Sequence, residues 1–288
     1  MVQTEPGAAA WDDKLLANPH AVADKRRRVR QMFAAIAPSY DLNNRLHSLW
    51  QDQRWRRGAV KLAQLKPTDV VVDVACGTGD LAFELARQIR KSIIGDRWPE
   101  WLWEREIPKP VLGIDFTFEM LPIARRKTPD ISWAGSTADH GPAFVDGFFR
   151  HNIWLNGDAQ SLPLPNESAD VVSIAFGIRN VQDPAAAIKE FHRILRPGGR
   201  VIVLEFSLPT NRFLRGLYNF YFRQVLPRTA TLISGDKTGA YKYLPESVNT
   251  FIGREQMVGM MREAGFEEVE QFPMTFGVCV CYRGVVPA

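Results

Sequence analysis

The stretch Val70-Val71-Val72-Asp73-Val74-Ala75-Cys76-Gly77-Thr78-Gly79-Asp80-Leu81 decides the fold. An apolar, β-branched run enters two glycines one residue apart. Beyond them, Leu81 and Leu85, and Ala82 and Ala86, recur at helical spacing. That order predicts a buried strand, a tight turn and a helix start. Glycine lacks a Cβ, so such a turn lets the backbone approach a ligand closely.

The charges of this turn select among ligands. A dinucleotide fingerprint places a third glycine three residues after the second, and Ala82 stands there instead. Asp73 and Asp80 would repel a pyrophosphate, an anion that helix N-termini otherwise attract. S-adenosylmethionine carries a sulfonium and an ammonium but no phosphate, and fits these carboxylates better. The competing reading of a lone Gly-x-Gly is a structural strand–helix turn.

Working outward, the 288 residues suit one large domain, or one domain with decorations. With 45% hydrophobic and 24% charged residues the composition is that of an ordinary globular protein. A net charge of +4 and a pI near 9.0 permit anionic partners without demanding them. Three cysteines (Cys76, Cys279 and Cys281) make neither a disulfide framework nor a zinc site, and a reducing, cytoplasmic setting is expected. No apolar run is long enough for a transmembrane helix, and the start lacks a secretory pattern.

Residues 1–20 are small and patternless and are expected to form a disordered tail, with a single domain over 21–288. A helix from Ala21 would bury Val29, Met32, Phe33 and Ile36 and leave Lys25, Arg26, Arg27, Arg28 and Arg30 on a solvated face. Strands follow at Val111–Asp115, in Ile153–Ala159 together with its turn, at Ala169–Phe176 and at Arg200–Phe206, alternating with helices. Two more, at Glu268–Phe272 and Gly277–Tyr282, complete about seven. This alternation predicts an α/β fold: a Rossmann-like, doubly wound, mostly parallel sheet with N-terminal helices and a helical lid. The lid is the amphipathic run Phe213–Leu226, flanked by Arg212, Arg215, Arg223 and Arg228. Insertions near 91–110 and 132–151 carry Trp98, Trp101, Trp103, Trp133, Phe144, Phe148 and Phe149, candidates for an exposed apolar patch.

At the carboxyl edge of such a sheet, Asp115 is placed to accept ribose hydroxyls and Asp158 to accept from an adenine amino group. Gly177-Ile178-Arg179-Asn180 falls at the same edge.

The glycine turn resembles that of class I S-adenosylmethionine-dependent methyltransferases. Further motifs narrow the resemblance to the ubiquinone/menaquinone biosynthesis C-methyltransferases. They are Tyr40-Asp41 with Asn44, Ser48 and Trp55; Gly177-Ile178-Arg179-Asn180; Arg193 to Gly199 running on to Glu205-Phe206-Ser207; and Tyr241-Lys242-Tyr243-Leu244 with Ser247. The match spans about Phe33 to Gly284. Asp52 stands at the position of the family's signature histidine, and Tyr282 at that of a late histidine.

The resemblance implies methylation of a ring carbon of a polyprenylated quinol, in the menaquinone case demethylmenaquinol to menaquinol. Carried over by position, Thr78, Asp115, Asp158 and Ala159 contact S-adenosylmethionine, with Asp73, Gly77 and Gly79 completing its loop. Arg179 is expected to place positive charge beside the developing oxyanion, and Asn180 to bond the same oxygen or a relaying water. A competing reading pairs Arg179 with a carboxylate such as Asp183. Tyr243 is a candidate substrate contact. A membrane-soluble tail without a membrane span implies a cytoplasmic protein with peripheral contact at the inner face of the membrane. Alternatives are the ubiquinone-branch benzoquinol, another phenol or lipid, or an RNA-binding protein. The last lacks a base-stacking platform after strand four, and no nucleic-acid partner or metal is expected.

Overall fold

The computed structural model describes residues 11–94, 110–128, 152–236 and 238–288. The inserted Trp98, Trp101, Trp103, Trp133, Phe144, Phe148 and Phe149 lie outside them.

Seven strands form one sheet: β1 (Val71–Val74), β2 (Leu112–Asp115), β3 (Ile153–Asn156), β4 (Ala169–Ala175), β5 (Leu195–Phe206), β6 (Glu267–Met274) and β7 (Cys279–Val285). Their order is β3-β2-β1-β4-β5-β7-β6. All pairs are parallel except those made by β7, which is antiparallel to both β5 and β6. The chain reverses direction across the sheet between β1 and β4, the switch point where open α/β sheets bind ligands.

Among the described residues, four α-helices precede β1: α1 (Asp13–Leu16), α2 (Lys25–Ile36), α3 (Tyr40–Ser48) and α4 (Gln51–Leu62). Then follow α5 (Asp80–Ile94), α6 (Leu121–Lys127) and α7 (Pro184–Ile194). Asp183 caps α7, accepting the Ala186 amide at 3.1 Å. A lid follows β5, built from α8 (Arg212–Phe220), a π-turn (Tyr221–Val225), α9 (Leu226–Ser234) and α10 (Ala240–Asn249). Helix α11 (Arg254–Glu263) leads into the β6–β7 hairpin.

Alternating side chains of each strand serve two cores. Val72, Val74, Val172, Ile174, Val201 and Val203 pack on Ile188 and Phe191 of α7 and Met257 and Met261 of α11. Val71, Val171, Ile202 and Leu204 pack on Trp55 and Ala59 of α4 and Leu81 and Leu85 of α5. A third cluster joins α2 to the lid through Met32, Ile36, Tyr218, Phe222, Leu226 and Tyr243.

Two expectations change here. Residues 11–20 are folded, not a disordered tail. Trp11 is buried, stacks at 4.5 Å on Tyr243, and donates its amide to Thr238 O at 3.0 Å. The lid lacks a floor of its own, so an otherwise unpatterned segment supplies apolar area beneath it. The basic run is also not a uniformly solvated face. Lys25 is buried and donates to Val181 O at 2.6 Å, and burial draws its pKa down to about 8. Arg26 crosses to Asp158 at 2.8 Å. Arg27 and Arg28 pair with Asp24 on the helix surface, and Arg30 stays exposed there, 5.7 Å from the centre of the Phe116 ring.

Candidate active site

The glycine turn after β1 takes left-handed backbone at Ala75, Gly77 and Gly79, with φ of 51°, 54° and 87°. A Cβ on Gly79 would stand 2.6 Å from Trp154 and 2.9 Å from Phe83, so only glycine lets α5 begin there. A Cβ on Gly77 would instead meet nothing within 4 Å, because this residue faces a cavity.

That first cavity, with about 760 Å³ of empty space, lies over the carboxyl ends of β1, β2 and β4. Gly77, Asp115, Phe116, Asp158, Ala159 and Asn180 line it. Asp115 ends β2 and accepts the amides of Gly77 and Thr117, each at 2.7 Å, so it pins the glycine turn. Burial pushes its carboxyl up to about 6, against the pull of those two amides. Asp158 accepts the Gln160 amide at 3.0 Å and the Arg26 guanidinium at 2.8 Å. Arg26 also lies 4.6 Å from the centre of the Phe116 ring, so it bridges one end of the cavity.

Asp73, Thr78 and Gly79 are not in this wall. Asp73 lies beneath the turn, beside Ser173 in register, and accepts that hydroxyl at 2.7 Å. Burial pushes it up to about 7, and its other oxygen, Oδ2, is buried without a partner among the described residues. Thr78 donates to Asp41 at 2.6 Å. Lys127 bonds Asp41 at 2.9 Å and also pairs with Asp80. This knot of two carboxylates, a hydroxyl and an ammonium borders the start of α5.

A second cavity, with about 1100 Å³ of empty space open to solvent, adjoins the first and shares Phe33, Tyr40 and Phe176 with it. Its walls are largely aromatic and aliphatic: Trp55, Phe206, Tyr218, Phe222 and Leu226 among them. The lid helices α8–α10 and helices α2–α4 enclose it.

The predicted chemical residues fall at the junction. Asn180 lines the first cavity, and Arg179 and Tyr243 line the second. Tyr243 donates to Asn180 Oδ1 at 3.0 Å, and Asn180 Nδ2 donates to Phe176 O at 3.1 Å, so the amide orientation is held from both ends. Burial raises the Tyr243 hydroxyl well above its ordinary range, which keeps it a proton donor in this bond. Arg179 is buried and pairs with Glu205 at 2.6 Å, not with Asp183. It also donates to Phe176 O at 2.8 Å. Burial opposes its charge, but Glu205 at the end of β5 more than compensates and its pKa is raised.

Sequence reasoning missed Arg26, Phe116, Phe176, Asp52 and Arg56 as wall residues. The only signals were adjacency: Phe176 precedes the Gly177 motif, and Arg56 follows Trp55.

The donor set suits S-adenosylmethionine. It offers acids at two strand ends and open space against Gly77. Solved structures bear out the fold. A SAM-dependent methyltransferase from Thermotoga maritima superposes with a TM-score of 0.53 at 21% identity, covering 89% of this chain and 99% of that one. The [4+2]-cyclase SpnF superposes with a TM-score of 0.50 at 18% identity over 82% of this chain and 81% of that chain. These likenesses define a Rossmann-like sheet and leave the reaction to the site.

The sequence comparisons are closer. The model of the ubiE/COQ5 methyltransferase family matches residues 21–286. The chain is 39% identical over 266 residues to the ubiquinone/menaquinone biosynthesis C-methyltransferase UbiE of Geobacter sp. strain M21, covering 92% of this chain and 99% of the relative. It is 42% identical over 256 residues to the demethylmenaquinone methyltransferase of Thermus thermophilus, covering 89% of this chain and all of that protein, 100%. With these matches and the fold, the molecule is of the class of S-adenosylmethionine-dependent methyltransferases. The chain belongs to the ubiE/COQ5 methyltransferase family.

Proposed function

We propose that this enzyme methylates a ring carbon of a polyprenylated quinol, and that the quinol is demethylmenaquinol. The observation that carries this is the pair of adjoining cavities. The first sets Asp115, Asp158 and Asn180 at the strand ends into a mostly apolar wall, the second is largely aromatic and aliphatic with Arg56 and Arg179 in it, and they share Phe33, Tyr40 and Phe176. A polar methyl donor fits the first and an apolar ring the second.

S-adenosylmethionine supplies an electrophilic methyl group when bound. Asp115 would hold its ribose and Asp158 its adenine edge. Thr78, Asp41, Asp80 and Lys127 bond one another outside the cavity wall, at the start of α5. The chain must also make a ring carbon nucleophilic. A phenol with a pKa of roughly 10 is mostly neutral at pH 7, so the hydroxyl beside that carbon must be bonded as it loses its proton. Arg179 stabilises the growing phenolate charge, while Glu205 holds the guanidinium in place without a gap to close at the moment of reaction. Asn180, fixed by Tyr243, holds the same oxygen or a water that accepts the proton. Once the ring carbon carries the methyl group, its own proton would pass through the water held by Asn180 back to the phenolate oxygen, restoring the aromatic quinol, while the proton first taken from the hydroxyl leaves to solvent. Holding the two reactants in line accounts for much of the acceleration.

The quinol would enter from a membrane surface. Beside the second cavity α8 exposes Phe213, Leu217 and Phe220, α9 exposes Leu232 and Ile233, and α3 exposes Leu42 and Leu46. Arg212, Arg215, Arg223 and Arg228 accompany this apolar face. Among the described residues no helix is long and apolar enough to cross a membrane.

Labelled S-adenosylmethionine, offered with demethylmenaquinol and separately with a demethylated benzoquinol, tests the reading. Label in menaquinol is expected. Label only in the benzoquinol would move the enzyme to the ubiquinone branch, and no transfer to either would overturn the substrate class. Flotation with anionic vesicles is expected to carry the protein upward, and its failure would remove the membrane step.

A further inference from the structure

The second cavity contains two buried arginine–carboxylate pairs, and the mechanism above uses one. Besides Arg179–Glu205, Arg56 pairs with Asp52 at 2.7 Å. Both Arg56 and Asp52 are buried, and both line the cavity with Ser48. Ser48 donates to Asp52 Oδ1 at 2.8 Å and Gln53 to Oδ2 at 3.0 Å, so the carboxylate is held from both sides.

The two guanidinium groups are arranged alike. Arg56 lies 5.3 Å from the centre of the Phe176 ring and Arg179 lies 5.3 Å from that of Phe206. Those two rings touch, with centroids 4.7 Å apart. One aromatic surface thus carries a cation on each of its rings. Burying ion pairs in such a wall does little for stability, because apolar residues of similar volume do as well or better. The Arg56 fork also keeps unused capacity. Nη1 donates to Asp52, and among the described residues Nε and Nη2 make no further hydrogen bond.

We infer that the Arg56–Asp52 pair holds the second ring oxygen of the substrate, the one remote from the carbon that is methylated. This rests on the quinol reading and adds to it a subsite for the other hydroxyl. A hydroxyl has one proton to donate and lone pairs to accept with. It donates to Asp52 while accepting from Arg56, whereas Arg179 serves the oxygen beside the reacting carbon. A quinone carbonyl has no proton to give Asp52, so the same pair favours the reduced ring. Arg56 and Asp52 are specificity-determining residues under this assignment; Ser48 is a positioning residue.

The test compares a short-chain demethylmenaquinol with the same compound in which hydrogen replaces the remote hydroxyl. The native enzyme is expected to prefer the diol by at least about tenfold in kcat/KM, since a site built for a hydroxyl rejects the analogue lacking it. Arg56→Met and Asp52→Asn should each reduce that preference to about threefold or less, mainly through KM for the diol. Their S-adenosylmethionine affinity and thermal midpoint report whether they are folded. An undiminished preference in folded variants overturns the inference. Where Arg56→Met does not fold, Arg56→Lys keeps the charge but loses the fork. A reduced preference then supports the subsite and an unchanged one removes it. Native enzyme that methylates diol and mono-ol equally would sink this inference alone. Native enzyme that methylates neither quinol class would sink the quinol reading itself.

Discussion

The two cavities are built by different means. The first is made of strand ends and their turns: Gly77 after β1, Asp115 at the end of β2, Asp158 after β3 and Gly177 after β4. Each of these four is placed by backbone only a few positions away, and Arg26, Val29, Phe33 and Tyr40 of the N-terminal helices close the cavity. The second draws on α2, α3, α4, α8, the π-turn, α9, α10 and the turn before β7. Its residues meet only because Trp11, Met32, Tyr218 and Tyr243 pack the lid onto the N-terminal helices. Strand-end geometry thus provides a site for a fixed ligand, and the added helices provide one for a variable ligand.

If that contrast is right, damage should separate along it. The largest effect is expected from Asp115→Ala. It removes the acceptor of the Gly77 and Thr117 amides and a ribose partner together. Calorimetry should show S-adenosylmethionine binding weakened by about 100-fold, or about 3 kcal/mol. Retained binding would detach the first cavity from the cofactor.

Arg179→Leu is next. It strands Glu205 without its cation, which costs about 3–5 kcal/mol of stability and lowers turnover. The double variant Arg179→Leu/Glu205→Leu should recover most of the stability while kcat stays about 100-fold down. Recovered turnover in the double variant would make Arg179 a packing residue.

The pH dependence is a smaller effect on the first cavity. Asp115 is raised to about 6 in the folded protein, and only its ionised form accepts ribose hydroxyls without competition. As pH falls through that value the ionised fraction drops to about one tenth at one unit below, so binding measured at pH 5 should be about tenfold weaker than at pH 8. Asp73, raised to about 7, acts in the same direction on a cationic ligand. Asp115→Asn should flatten part of the profile; an unaltered profile would assign the whole dependence elsewhere. For the ligand-free protein the sign reverses. A folded pKa above the unfolded 3.8 means the native state holds the extra proton, so Asp115 costs stability as pH rises from about 4 to 6.

The smallest effect is expected from Tyr243→Phe. It deletes one hydrogen bond to Asn180 Oδ1, worth about 1 kcal/mol, and kcat should fall a few-fold with S-adenosylmethionine affinity unchanged. A change confined to that affinity would place Asn180 with the cofactor.

The same contrast explains what could be read in advance. The strand–turn–helix at Val70–Leu81, the acids at Asp115 and Asp158, and the sheet itself are local patterns of period and turn chemistry. The Arg26–Asp158 bridge spans 132 positions of sequence and the Trp11–Tyr243 stack spans 232. No local pattern encodes either. Arg179 was singled out for its charge, yet its partner Glu205 sits on another strand end, and Asp183 is committed to a helix cap.

By itself the sequence determined the order of strands and helices, the glycine turn, the acids at the strand ends and the family. These follow from side-chain periodicity and backbone conformation, which act over a few residues. Only the tertiary structure decided which cations are buried and with which carboxylate, and that a patternless N-terminal segment floors the lid. It also decided that two arginines share one aromatic wall. Burial is a property of the assembled surface, and a charge removed from water takes whichever partner the packing brings within reach.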